Sequence, residues 1–204
     1  IYYVFDGDLA AGAAMEGLKS TLTLVLGVVL LPLLTKLSDR CDKRQVIIGL
    51  LVFAALGNLL NIVCLTPDRP YLQLVPALAA AGLASSVWMF FPAMKADVAD
   101  YDELQTGQRR EGSLNAFYLW CFKLSLVASA GMDGLLLSAT GFRVEAARQS
   151  PETLGAMVLI YTFLPAAIWL CGALVLLPYR LNRGAMAEIR NLIEVRRAGR
   201  KDGL

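Results

Sequence analysis

The sequence predicts an all-α integral membrane protein, and three observations carry that prediction. Hydrophobic residues make up 57% of the 204 positions and charged residues 18%, against nearly half and about a quarter in soluble domains. The excess is gathered into apolar segments of about 20 residues, the length that crosses a ~30 Å hydrocarbon core. Lysine and arginine lie between those segments and heavily on one side of them.

Taken in order, Ile1–Phe5 reads as the tail of a preceding span, and the chain as a fragment that lacks its N-terminal part. Asp6-Gly7-Asp8 is a turn with helix-start chemistry. The first complete span is expected over 17–37, with Glu16 and Lys19 three apart at its entrance and Pro32 inside it. Leu37-Ser38-Asp39-Arg40-Cys41-Asp42-Lys43-Arg44 is a short charged loop, and a second span follows over 46–65. Two prolines fix the turn at Thr66–Pro70. The third span, 72–94, is almost wholly small residues from Ala77 to Ser86, so its backbone should lie close against other helices.

A dense polar stretch, Ala96 to Gly112, then separates this span from the next, 113–139. Ser150-Pro151-Glu152 opens the last span, 154–177, which Pro165 interrupts. From Arg180 the tail is basic. Leu181, Met186, Ile189 and Ile193 recur near a helix period, as in a solvated helix at the membrane surface. Fourteen lysines and arginines fall on the side of the polar stretch and the tail, and three on the other. That bias makes the polar stretch and the C-terminal tail cytoplasmic and the bundle a multi-pass plasma (inner) membrane protein.

Several chemistries are excluded. With no histidine there is no Ser-His-Asp site, zinc protease motif or histidine proton relay. Cys41, Cys64, Cys121 and Cys171 are scattered and read as small apolar fillers. Acid-rich motifs on membrane helices can hold magnesium for diphosphate substrates, but that needs a second acidic motif facing the first. Asp39 and Asp42 are the other close pair, and cations surround them. No metal site, cofactor, enzymatic activity or nucleic-acid partner is therefore expected.

Lys123 is the most informative residue. It lies ten residues into its span, about 15 Å at 1.5 Å per residue, near the bilayer midplane. A cation there costs roughly 2.5–3.5 kcal/mol, so it should face a cavity or a carboxylate. Asp133 is about 15 Å further along the same helix and is no direct partner; it reads as an interfacial residue. Trp88, beside Phe90 and Phe91, offers a flat apolar face and an N–H donor of the kind that recognises a sugar ring. Asp97, Asp100 and Tyr101 share a helix face near a helix C-terminus, where the dipole disfavours acids. Arg109, Arg110 or a neighbouring domain would supply the offsetting cations.

Ala96-Asp97-Val98-Ala99-Asp100-Tyr101-Asp102-Glu103, Thr106-Gly107 and Arg109-Arg110-Glu111-Gly112 resemble the signature between helices 10 and 11 of the glycoside–pentoside–hexuronide:cation symporters. Asp39–Arg44 is similar to the basic motif after helix 8 in the wider major facilitator superfamily. The resemblance implies the C-terminal six-helix half of a twelve-helix fold with its first helix truncated. Residues 1–178 would then be the tail of helix 7 and helices 8–12, and 179–204 the cytoplasmic tail. It implies substrate binding by Trp88 and Lys123, cation coupling through Lys123, and a cytoplasmic gate of Asp97, Asp100, Tyr101, Arg109, Arg110 and Glu111. The coupling cation, Na+ or H+, would be bound mainly by carboxylates of the absent N-terminal six-helix half. The chain departs from the best-known member in Lys95 and Asp133, both apolar there. The function expected is symport of a sugar or glycoside with a cation. A non-transporting membrane scaffold and a lipid or drug carrier are the competing readings.

Overall fold

The computed structural model describes residues 2–146 and 148–201, with side chains beyond residue 198 outside the described set. Its helices are α1 (Leu9–Arg40), α2 (Lys43–Leu59), α3 (Asn61–Cys64), α4 (Leu74–Thr106), α5 (Glu111–Ala139), α6 (Pro151–Leu176) and α7 (Arg183–Lys201), with a 3-10 turn at Pro70–Gln73 before α4. Among the described residues, five helical stretches are long and apolar enough to cross a membrane. Tyr2–Gly7, expected as the tail of a preceding span and the turn after it, run through turns and a bend, and Ile1 lies outside the described residues.

The helix starts follow local chemistry. Asp8 caps α1 by accepting from the N–H groups of Ala10 and Ala11 at 2.9 and 3.0 Å, which satisfies two of the donors a helix start leaves open. Ser150 caps α6, and Pro151 occupies its first position, where the missing N–H costs nothing. α1 is longer than the span expected over 17–37, because nothing between Leu9 and Arg40 breaks the helix and Pro32 is accommodated inside it. The larger difference is α4. It does not stop at Met94 but runs through the acidic stretch to Thr106, ending at Gly107 in the left-handed region (φ 71°). Gly107 is the helix stop, since that conformation favours glycine.

The packing order is α6, α2, α4, α1, with α7 laid across the end of α4. Small residues set the spacing, as the run Ala77–Ser86 predicts. A methyl group on Gly27 would overlap Ser85 Oγ, and one on Gly57 would lie 2.6 Å from Ala79 Cβ. Below these contacts Leu34, Val46, Ile47, Phe90 and Met94 form a buried cluster that joins α1, α2 and α4.

α5 is the exception. None of its residues is buried by the rest of the chain. Lys95 ties it to α4 by donating to Asn115 Oδ1 at 2.6 Å and by lying 4.8 Å above the Tyr118 ring.

Candidate functional site: an intramembrane cavity and an ion-pair network

Trp88 lines the wall of a cavity of about 620 Å3 between α1, α2, α4 and α6. This volume lies within the range of small-molecule pockets, ~300–1,000 Å3. Polar residues of the lining include Glu16, Lys19, Asn58, Asn61 and Tyr161, and Trp169 adds a second indole. Trp88 is 76% exposed, so most of its indole is left uncovered by this chain. Asn58 donates to the Thr162 carbonyl at 2.7 Å, and Asn61 donates to Asn58 Oδ1 at 2.9 Å. The first amide ties α2 to α6, and the second ties the short helix α3 to the end of α2. Glu16 and Lys19 form the i,i+3 ion pair that their spacing predicts.

Lys123 is not in that lining. It sits near the centre of α5, exposed, with no hydrogen bond or ion pair among the described residues. The structure therefore does not bring Lys123 and Trp88 together. Asp133 is likewise exposed on α5, away from Lys123.

Asp97, Asp100 and Glu103 are held by cations that their own sequence neighbourhood does not contain. Asp97 is buried, its side chain 2% exposed. It accepts from Lys43 Nζ at 2.6 Å and from Arg190 Nη2 at 3.1 Å. Arg190 Nε also lies 3.2 Å from Asp100 Oδ2. Glu103 takes both arms of Arg197, and Arg196 donates to the Leu104 carbonyl at 3.1 Å. Arg109 and Arg110 do not reach Asp97 or Asp100. Arg109 pairs with Glu111 at 2.7 Å, and Arg110 grips Asp102 through two bonds of 2.6 and 3.1 Å. Those pairings hold both guanidinium pKa values above their ordinary value. Tyr101 is exposed and makes no hydrogen bond among the described residues.

The partners that sequence reasoning missed are Lys43, Arg190 and Arg197. They come from α2 and from α7, which is not a free surface helix. Met186, Ile189 and Ile193 are buried against Leu104 and Leu181. The signal was present: Arg190 and Arg197 are seven apart, two helical turns, beside the apolar stripe. Tyr179, in the connector before α7, has its hydroxyl buried without a hydrogen-bond partner among the described residues. Desolvation, and secondarily the Asp97 charge, push its pKa up to about 12.

Among the described residues no three His, Cys, Asp or Glu side chains are grouped to hold a metal ion. What the arrangement offers is a polar, aromatic-lined space within the span and a charged clamp at one end of it.

Comparison with known proteins gives a consistent picture. The profile of a family described as MFS/sugar transport protein matches residues 2–183. A Salmonella typhimurium protein, provisionally named a sulfoquinovose importer, is 28% identical over 81% of this chain and 34% of its own length. An uncharacterised symporter of Synechocystis sp. is 34% identical over 57% of this chain and 22% of its own. The isoprimeverose transporter of Lactiplantibacillus pentosus is 27% identical over 89% of this chain and 36% of its own. The chain thus spans about a third or less of the length of these three relatives. No solved structure matches the chain at a significant level.

Proposed function

Because the chain belongs to the family described as MFS/sugar transport protein, we propose that it is part of a secondary carrier that moves a sugar or glycoside together with a cation, Na+ or H+. The relatives named as importers, transporters and symporters support this reading. So does the helix content: five membrane-length helices among the described residues suit most of one helical half that works against another, with the pathway between them.

The observation that carries the proposal is Lys123. It lies mid-helix, without a partner in the described chain, on a helix none of whose residues is fully buried. A cation at that depth cannot rest against lipid tails without a cost of several kcal/mol. It is stable where a second half presents carboxylates or water. Its ammonium then senses whether the coupling cation is bound there, which links cation to substrate through a low-dielectric gap. Trp88 packs its free face against the sugar ring, and the polar lining near it supplies hydrogen bonds.

The gate follows from the network, with the tail and the acidic stretch on the cytoplasmic side. Asp97 is committed to Lys43 and Arg190 and so stiffens this half. Pairing across halves falls instead to Arg109 and Glu111, each more than half exposed, which can exchange partners as the halves meet.

The test is transport by the complete carrier in sealed vesicles. Lys123→Leu should abolish accumulation against a gradient while leaving measurable downhill exchange. Normal accumulation by that variant would remove the coupling role. Trp88→Ala should weaken sugar binding about tenfold, the worth of roughly 1.4 kcal/mol of ring contact.

A further inference from the structure

A second cavity, of about 690 Å3, opens at the basic end of the bundle. One wall is the first two turns of α2, with Arg44, Gln45, Ile48 and Gly49. The other is the connector between α6 and α7, with Tyr179, Arg180, Leu181 and Asn182. Gln45, Ile48 and Gly49 follow an i, i+3, i+4 pattern and so share one helix face.

Two features coincide in this cavity. The first is that its cations are free. Arg109, Arg110, Arg190 and Arg197 each hold a carboxylate, while Arg183 and Arg196 hold backbone carbonyls. Arg44 and Arg180 make no side-chain hydrogen bond or ion pair among the described residues, although Arg44 is half-buried. Asp42 also lines the space, but its Oδ1 already accepts the Arg183 N–H at 3.2 Å. The second feature is the floor. Ile48, Gly49 and Leu181 are apolar, and Ile48 and Gly49 continue directly into a membrane-crossing helix. The space beside Gly49 is open, with no atom within 4 Å of where a Cβ would stand.

A rim with two unpaired guanidinium groups above an apolar wall, at the end of a transmembrane helix, is complementary to an anionic amphiphile. Guanidinium matches phosphate oxygens in a two-bond geometry, and basic pockets at the ends of membrane helices suit acidic head groups. We propose that this cavity binds the phosphodiester head group of an anionic phospholipid, with Arg44 and Arg180 holding the phosphate and an acyl chain lying along Ile48 and Gly49. The lipid would fasten the α6–α7 connector to α2 and so help to seat α7 on the acids of α4.

The experiment uses the complete carrier in detergent, titrated with phosphatidylglycerol or phosphatidylcholine and read by native mass spectrometry. Phosphatidylglycerol should be retained in preference to phosphatidylcholine. Arg44→Gln with Arg180→Gln should weaken its retention about 30-fold, from about fivefold per cation near an anionic surface. Lys36→Gln with Arg40→Gln, which removes the same charge from outside the cavity, should leave retention within about threefold of wild type. Equal weakening by the two pairs would show a diffuse field and overturn the site, as would no preference between the lipids. Excess inorganic phosphate should not displace the lipid; full displacement would show that the pocket reads bare phosphate and would overturn the lipid assignment. If the arginine pair unfolds the protein, Gly49→Phe fills the floor without touching either charge. It should also weaken phosphatidylglycerol retention, and unchanged retention there would refute the proposal.

Discussion

Arg190 holds two acids of α4 at once, its Nη2 lying 3.1 Å from Asp97 Oδ1 and its Nε 3.2 Å from Asp100 Oδ2. The acids are three residues apart, so one guanidinium spans a helical turn. The members of the cluster differ in their access to solvent. Asp97 is 2% exposed, Lys43 29% and Arg190 56%. Loss of Arg190 leaves Asp97 still paired with Lys43, whereas loss of Asp97 strips both cations of their shared anion. Asp97→Ala should therefore cost about 1–3 kcal/mol and Arg190→Ala about 1 kcal/mol or less. Unfolding of the detergent-solubilised protein measures both, and a larger loss for Arg190→Ala would contradict this ordering.

The contact of Gly57 with Ala79 admits a second test. Two methyl groups cannot sit 2.6 Å apart, and neither can rotate away. Gly57→Ala should destabilise by about 1–3 kcal/mol through overpacking, and Gly57→Ala with Ala79→Gly should recover most of it. A double variant no better than the single would mean that α2 and α4 are not held by this approach.

Seating of α7 depends on Ile189, which is buried between Met186 and Ile193 in the α7 cluster. Ile189→Asp would bury a charge without a partner, a cost of several kcal/mol that detachment avoids. Backbone amides of 184–196 should then exchange with solvent at least about tenfold faster, as expected when a local opening free energy falls by ~1.4 kcal/mol or more. Unaltered exchange would show that the arginine pairs alone keep the helix in place.

Tyr179 makes the stability of the fold depend on pH at the alkaline end. Its pKa is raised to about 12 from 10.0, so the folded state holds the phenolic proton more tightly than the unfolded chain does. The contribution is fully present below pH 10.0 and is lost as pH rises through about 12. Tyr179→Phe should remove that part of the alkaline destabilisation. It should also delete one phenol from the absorbance titration near the upper value; an ionisation that disappears at ordinary tyrosine pH would contradict the burial argument.

Much of the fold was legible from local rules. Asp8 and Ser150 sit where caps belong, the small-residue run of α4 makes the closest helix contacts, and the five apolar stretches are helices. The course of α4 was harder to read. Hydropathy falls at Lys95, but hydropathy measures partition into lipid and not helix continuity. Nothing before Gly107 breaks the backbone, so the helix carries on into water-facing sequence. The partners of Asp97 were hidden for another reason. Lys43 and Arg190 are 54 and 93 residues away, and ion pairs at such separations are set by packing order rather than by periodicity. Lys123 was legible as an anomaly of charge and depth, yet what it faces was not, since in the structure it is exposed and unpaired among the described residues.

The two rims of the bundle are fastened by different chemistry, and this has a practical result. At one rim Asp97, Asp102 and Glu103 hold cations, Asp97 with its side chain 2% exposed; at the other, Asn58 holds a neutral carbonyl on α6, and an exposed ion pair joins Arg148 to Asp6. Electrolyte shields the first kind of fastening and leaves the second untouched. Ionic strength is therefore a lopsided dial: the exposed Arg148–Asp6 pair contributes little to begin with, so raising it loosens mainly the charged rim, and a helical body gripped at a single rim tilts instead of coming apart.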